Sequence, residues 1–560
     1  MIKEQIKQAL DTCFAAGVAA GAWTAAAEGQ YGVEEPRQAS HGDFATNMAL
    51  VIAGTAKKLD PAAKINPRAL AERIVHLLQE AGDGLFQSLQ IAGPGFINMV
   101  VRPEAWQAVL PEVCRQAETY GRTSAGSGRR VLVEFVSANP TGPLSVGHGR
   151  QAVLGDCIAR LLAATGHDVT REYYFNDAGR QMRVLGESTR ARYLELLGRP
   201  AQFPEDGYQG EYIRDIARQL AGEHGAALAD HVDVKPFRDK AVAVIFEDIK
   251  NTLARLDIVF DSYYNEHSLY ENGLVDEVIG LLREKELVYD KDGATWFKTS
   301  VLGLDQDRVI VKSSGEPTYR LPDIAYHREK FRRGFDWMVN VFGSDHIATV
   351  PDVLAGVRAL GYDSDKVTVV LHQFVTLLRD GKLVKMSTRR ANFVTTDELI
   401  DEVGAGVVRF FFLMRKADSQ LEFDLTLAAS QSQENPVYYV QYAHARLCSI
   451  AKQAATQGVD PGSLDAAPLN RLTTVEELRM LKAMSLFPSL VERAALDLEP
   501  HRIPFFLQEL ASEFHSYYNK HRVVSDDADL SRARLWLCAG LRIVFRNGLA
   551  LIGVDAPETM

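Results

Sequence analysis

The chain has 560 residues with 62 Lys and Arg against 73 Asp and Glu, a formal charge of −11, and at roughly 150 residues per domain it suggests three or four domains. Hydrophobic residues at 46% and charged residues at 24% are ordinary globular usage, which excludes disordered, collagenous and low-complexity architectures. No run of about 18 apolar residues occurs, so no membrane span is expected, and the acidity argues against a polybasic protein without excluding local basic patches that steer a polyanion.

Residues 1 to about 125 read as a separate α+β module. Helical periodicity covers Ile2–Ala16 and Arg68–Glu80, and Ser88–Val101 (SLQIAGPGFINMVV) is strand-like. Cys13–Ala27 loosely imitates a secretory signal, but Glu4 and Asp11 interrupt the basic start. Ile2, Ile6 and Leu10 recur at helical spacing, so an amphipathic helix is expected there. The cysteines Cys13, Cys114, Cys157, Cys448 and Cys538 are far apart and form no CxxC pair. That usage fits a reducing compartment, with no disulfide framework and no zinc site.

The linker TSAGSGRR (Thr123–Arg130) marks a boundary. Beyond it strand and helix alternate. Val131–Val136 reads as a buried strand, and a Pro/Gly loop leads into a helix with Val153, Leu154, Cys157, Ile158, Leu161 and Leu162 on one face. Gly166 fits its C-terminal cap, and Val169–Phe175 is the next strand. This βαβ pattern implies a parallel sheet with right-handed crossover. A second such region runs from Trp337–Phe342 to Val367–Leu371 and on to a hairpin at Asp380-Gly381. Between the halves, about 180–300, a mostly helical insertion is expected. From about Ser430 the pattern is helical to the end, with stripes at Val437–Ala451, Leu478–Ala494 and Phe505–Tyr518. The expected domains are 1–125, 126–425 and 426–560.

The strongest chemical signal is the strand-to-helix loop Ser137–Arg150, SANPTGPLSVGHGR. In a doubly wound sheet ligands bind beyond the carboxyl ends of the strands, and a helix starting near Gly147 aims free N–H groups and its positive dipole end there, favouring phosphate. Gly142 and Gly147 permit close backbone approach, and His148 in the first turn is placed to hydrogen-bond an oxyanion. The second signal is Lys385-Met386-Ser387-Thr388-Arg389. From Arg379 to Arg390 five Lys or Arg face one Asp, a cationic loop suited to stabilising pyrophosphate during attack at an α-phosphate.

Here the residues resemble a family. PLSVGH is similar to the His-Ile-Gly-His signature of class I aminoacyl-tRNA synthetases, and KMSTR to their Lys-Met-Ser-Lys-Ser loop. VEFVSANPTGPLSVGHGR, YYFNDAGRQ, YRLPDIAYH, VFGSDH, KLVKMSTR, the terminal LALIGVDAP, and HGDFATNMA and GPGFINMVV near the start resemble bacterial arginyl-tRNA synthetases over essentially the whole chain. The resemblance implies an α/β protein: a Rossmann-type parallel-sheet catalytic domain, an N-terminal α+β domain touching the tRNA elbow, and a C-terminal all-helical bundle at the anticodon region. It implies a cytoplasmic, monomeric enzyme using ATP with Mg²⁺, L-arginine and tRNA(Arg), with no metal held by the protein and neither membrane nor DNA as partner.

Arginine presents a planar cation with five donors, so a selective pocket needs carboxylates. Glu134, at the end of the first strand, and Asp323 are the candidates, each charge-assisted pair contributing about 1.5–3 kcal/mol. By resemblance Asn139, with Ser137 beside it, holds the backbone end of the amino acid, while Tyr319 and Asp323 line the side-chain pocket. His148, Lys385 and Ser145 are implied as catalytic. Pro143, Gly147, His148, Asp345, His346, Lys385, Met386 and Ser387 are implied around ATP. Asp345 and His346 either contact ribose or base, or belong to a helix cap formed by Ser344 or Asp345. Asn47, Tyr442, Arg446, Tyr517 and Arg522 are implied as tRNA contacts, although aromatics at helical spacing also build cores. Two departures stand out: Ser145 replaces the first signature His, and Thr388 replaces the second Lys of the loop. One rival is a class I synthetase for another amino acid. Another is a catalytically inert paralogue that binds RNA or senses an amino acid.

Overall fold

The computed structural model describes residues 2–36, 38–62, 64–82, 84–384 and 394–560. The first helix, α1 (Ile2–Ala19), buries Ile2, Ile6, Leu10, Cys13 and Phe14, the apolar stripe of the sequence. It packs on the helix Pro67–Ala81, itself N-capped by Asn66 with Pro67 at its first position. Beside them lies a four-stranded antiparallel sheet. The strand-like run Ser88–Val101 is in fact two strands, Phe86–Ala92 and Phe96–Val101, because Gly93 and Gly95 take positive φ (52° and 142°) and fold the chain back between them.

The central sheet is parallel. Its strands are β1 (Arg130–Glu134), followed by helix α2 (Val146–Ala164), then β2 (Asp168–Phe175) and β3 (Ser262–Asn265). Helix α3 (Arg320–Arg332) leads to β4 (Trp337–Gly343) and β5 (Val367–His372). The spatial order β5-β4-β1-β2-β3 puts the reversal of winding between β1 and β4, where an open α/β sheet leaves its ligand crevice. The expected hairpin forms from β6 (Val375–Arg379) and Lys382–Leu383.

The stretch over about 180–300 is mostly helical but also carries short strands. Three helices do fill 179–255, but the chain then re-enters the main sheet as β3. It goes on to build a three-stranded antiparallel sheet from Val288–Lys291, Ala294–Phe297 and Arg308–Val311.

The terminal bundle comprises α4 (Pro436–Thr456), α5 (Val475–Leu496), α6 (Arg502–Lys520) and α7 (Ala528–Leu551). One continuous apolar core runs from the N-terminal module through α2 into this bundle. Polar ties reinforce it: Tyr120 Oη donates to the Met484 carbonyl at 2.6 Å, and Gln107 Nε2 to that of Leu472 at 3.0 Å. The buried Arg409 guanidinium joins three regions. It donates to Asp156 of α2 at 2.5 Å, to the Leu256 carbonyl at 2.6 Å and to the Ile552 carbonyl at 2.7 Å.

Candidate active site

A cleft of about 940 Å³ opens at the β1/β4 crevice. Glu134, Ser137, Asn139, Ser145, Gly147 and His148 line it from the first half of the sheet. Tyr319, Asp323, Asp345 and His346 line it from the second. Residues of the two sheet halves, far apart in the sequence, therefore line one cleft.

The chain leaves β1 under strain. Val136 and Ser137 both have positive φ, 66° and 45°, a conformation that a β-branched residue adopts only when its surroundings impose it. What imposes it is a set of hydrogen bonds. Ser137 Oγ donates to Glu134 at 3.2 Å and accepts from the Tyr174 amide at 3.2 Å, while Tyr173 Oη donates to the Ala138 carbonyl at 2.8 Å. Asn139 Oδ1 accepts from the Asn176 amide at 3.0 Å, and its amide group donates to Gln181 at 2.9 Å.

Ser145 is the N-cap of α2. Its hydroxyl accepts from the His148 amide at 3.4 Å, and the Ser145 amide donates back to His148 Nδ1 at 3.3 Å, a reciprocal capping box. Because Nδ1 accepts, a neutral ring carries its proton on Nε2. Burial holds the His148 pKa below its usual value, opposed in part by Asp345. The serine in the first signature position thus orients the histidine. On the far side of the second signature, Thr396 donates its amide to the Leu144 carbonyl and its hydroxyl to that of Ser145, both at 2.8 Å. Lys385, Met386 and Ser387 themselves lie outside the described residues, as do Thr388 and Arg389.

Pro143 is not part of the cleft lining. Its stretch of loop is drawn toward the insertion instead, where Tyr212 Oη donates to the Thr141 carbonyl at 2.8 Å and packs against Gly142. The cap alternative for Asp345 and His346 also fails. The short helix Ser344–Ala348 starts from Gly343 with no side-chain cap, leaving both side chains exposed on the cleft wall.

The floor is a chain of polar contacts that joins the candidates Glu134 and Asp323 through Lys330, Asn340 and His327, none of which was singled out in the sequence. Buried Lys330 donates to Glu134 at 2.5 Å and to Asn340 at 2.9 Å. Asn340 donates to His327 Nε2 at 2.8 Å, and His327 Nδ1 meets the Asp323 carbonyl at 2.7 Å. Burial and Lys330 push the His327 pKa down to about 3, so it is neutral. Asp323, His327 and Lys330 lie at i, i+4 and i+7 on α3 and so share a face. A third carboxylate, Glu266, follows β3 and lines the cleft, accepting from Tyr174 Oη at 2.9 Å and Asn176 Nδ2 at 2.8 Å; burial raises its pKa. Asp323 is pushed up to about 8 by burial and by Glu134 and Glu266, against Lys330. His372 also lines the cleft and is buried with its Nε2 unpartnered among the described residues. Among the described residues no cluster of three or more His, Cys, Asp or Glu suits a metal ion.

In the bundle, Tyr442 stacks on Tyr438 and His515 at centroid separations of 6.0 and 5.7 Å, and Arg446 lies over Tyr442 and Tyr518 at 4.6 and 5.0 Å. Arg522 is exposed. Tyr517 is a correction: it is fully buried with its hydroxyl on Glu477, in line with Ile503, Leu507, Leu510 and Phe514, and so belongs to the core. Asn47 is half-buried and spends its side-chain oxygen on the Gly32 amide at 3.0 Å.

Three family profiles match the chain in succession: "Arginyl tRNA synthetase N terminal domain" over 1–101, "tRNA synthetases class I (R), catalytic domain" over 110–411, and "DALR anticodon binding domain" over 440–560. The chain belongs to the arginyl-tRNA synthetase family. An arginine–tRNA ligase of Desulfotalea psychrophila is 60% identical over 560 residues, all of both chains, and one of Syntrophotalea carbinolica is 50% identical over 94% of each. Among solved structures, a putative arginyl-tRNA synthetase from Campylobacter jejuni superposes with a TM-score of 0.76 at 31% identity, covering 82% of this chain and all of that one. The Thermus thermophilus arginyl-tRNA synthetase superposes at 0.73 and 22% identity over the whole of both chains, a likeness of fold. No helix among the described residues of this family member is long and apolar enough to cross a membrane.

Proposed function

We propose that in this arginine–tRNA ligase the cleft at the β1/β4 reversal activates L-arginine with ATP and passes the arginyl group to the 3′-terminal ribose of tRNA(Arg). AMP and pyrophosphate are the other products. The observation that carries the substrate choice is three neighbouring carboxylates in one cleft, Glu134, Glu266 and Asp323, with a single buried lysine among the described residues to balance them. A guanidinium supplies the missing positive charge and five donors in a plane. Asp323 takes the fork, Glu134 assists while anchored on Lys330, and Tyr319 covers the side chain. Asn139 and Ser137 hold the backbone end, with Glu266 beside them for the α-ammonium.

The arginine carboxylate attacks the α-phosphorus of ATP in line, and the bond to pyrophosphate breaks. His148 Nε2–H and the free amides opening α2 face the charge that grows on the phosphate oxygens, and Lys385 stabilises the leaving pyrophosphate. Asp345 and His346 contact the nucleoside. The ribose hydroxyl (the 2′-OH, by class I resemblance) then attacks the arginyl carbonyl and AMP leaves. No enzyme-bound covalent intermediate is needed, so positioning and electrostatics supply the rate. Mg²⁺ arrives as the ATP complex, part of the substrate. The chain works in the cytoplasm as a monomer, in three domains near 1–125, 126–425 and 426–560.

Aminoacylation of total tRNA with each amino acid tests the reading. Arginine alone is expected to be loaded; loading of another amino acid, or of none, overturns it. Lys385→Ala is expected to lower kcat far more than it raises the arginine KM, and a near-normal kcat removes Lys385 from its role. Pyrophosphate exchange is expected to require tRNA; full-rate exchange without it contradicts that expectation.

A further inference from the structure

Strand β5 lies on the other side of the winding reversal from Glu134 and Glu266, and it ends in His372. His372 lines the cleft yet is only 7% exposed, and its Nε2 has no partner among the described residues. A buried polar atom left unpaired is costly, so this one calls for a ligand. The other ring nitrogen fixes the tautomer. Nδ1 faces the Gln373 carbonyl at 3.3 Å, and a carbonyl can only accept, so Nδ1 carries the proton. The same carbonyl accepts from Arg150 of α2 at 2.7 Å, which holds the backbone in place there. Burial, with Arg150 and His148 nearby, keeps the His372 pKa down to about 4, so the ring is neutral. Nε2 is therefore a bare lone pair in the cleft wall.

His372 pairs in register with Gly343, where the segment Gly343–His346 leaves β4. Gly343 adds no side chain on that side: a Cβ there would stand 3.9 Å from Nε2 and collide with the Asp345 carboxylate. An ionised carboxylate is itself an acceptor and cannot satisfy the lone pair. Around the histidine the lining turns apolar. Val350, Val353, Leu354, Val369 and Val375 contribute to it, and Phe374 stands 69% exposed among them. A large ring left in water beside an apolar slot suits the face of a flat heterocycle.

Arginine spends its donors on the carboxylates across the reversal. ATP brings the adenine 6-amino group and the ribose hydroxyls, and an apolar slot holding one acceptor fits the base better than the sugar. We infer that His372 reads the base: its Nε2 accepts a hydrogen bond from the adenine 6-amino group while Phe374 covers the ring. A 6-oxo purine sets an acceptor against that acceptor, so the slot selects ATP from other purine triphosphates. The inference rests on the arginine–tRNA ligase reading and adds base selectivity to it. His372 acts on specificity and has no part in the phosphoryl chemistry.

The test uses the full-length wild type, His372→Phe, which keeps a ring without the acceptor, and His372→Gln, whose amide oxygen can accept. Affinities for ATP, ITP and purine riboside 5′-triphosphate, which lacks any 6-substituent, are measured by calorimetry with Mg²⁺ present. Arginine KM, ATP KM and thermal melting are measured alongside. The wild type is expected to bind purine riboside triphosphate about three- to tenfold more weakly than ATP, and ITP more weakly still. His372→Phe is expected to lose about the same factor for ATP and nothing further for purine riboside triphosphate, where the bond is already gone. His372→Gln is expected to recover part of the ATP affinity. In turnover the loss appears in the ATP KM, with arginine KM and melting at wild-type values. Equal wild-type affinity for ATP and purine riboside triphosphate overturns the inference without recourse to a variant. An equal loss for both nucleotides in His372→Phe overturns it too, being the mark of a merely structural role. Failure of the wild type to load arginine overturns the functional reading instead, and the nucleotide affinities still decide the base contact.

Discussion

At the bottom of the cleft Asp323 is held up to about 8 because burial, Glu134 and Glu266 all oppose its charge, with Lys330 pulling the other way. An unfolded aspartate titrates near 3.9, so the folded acid keeps its proton through neutral pH. Its contribution to stability is complete below the unfolded value and is lost as pH rises through about 8. A guanidinium reverses the preference, since it pairs with the ionised form. Arginine KM is therefore expected to fall as pH rises from about 6 to 8, by up to roughly tenfold per unit, and arginine binding at neutral pH to release a proton. Calorimetry in buffers of different ionisation enthalpy measures the proton. A KM that stays flat over that range removes Asp323 from the guanidinium. Asp323→Asn is expected to abolish the pH dependence and to lower kcat/KM for arginine while leaving ATP affinity largely intact.

Between elements, the joint singled out for test is Thr396 on the Leu144–Ser145 backbone, because it ties the chain that follows the second signature to the mouth of α2. Thr396→Val removes one hydrogen bond of about 1 kcal/mol from a fully buried position. A loss of kcat of up to about tenfold is expected, with arginine KM little changed; a drop confined to KM would disconnect the joint from the chemical step. This is also the scale at which the sequence was easiest and hardest to read. The βαβ unit around α2 was legible because a buried parallel strand is a continuous apolar run and its helix carries a clean stripe. β3 was not: SYYN is four residues long, half-buried, and gains its place only by pairing with β2. Glu134 stood out as a charge inside an apolar strand. Lys330, Asn340 and Glu266 look like ordinary surface polar residues until α3, β4 and the end of β3 are folded together. Tyr517 misled for the opposite reason, since a ring beside cations on a helix has no sign telling which face it occupies.

Across the whole molecule, buried charge ties the catalytic half to the bundle. Asp156 is contacted by Arg409 at 2.5 Å, Arg160 at 2.6 Å and Arg171 at 3.4 Å. Asp156→Ala leaves those guanidinium groups without their shared anion and is expected to cost about 3–5 kcal/mol, read as a lower midpoint in urea unfolding; a midpoint equal to wild type would mean the network is energetically idle. The same guanidinium of Arg409 is completed by the main-chain oxygen of Ile552, just past the last helix. Any chimera that exchanges the terminal helices for those of another protein inherits that obligation. Unless the donor supplies a carbonyl at the same spot, the graft strands a desolvated cation against α2, so the two halves are not interchangeable cassettes.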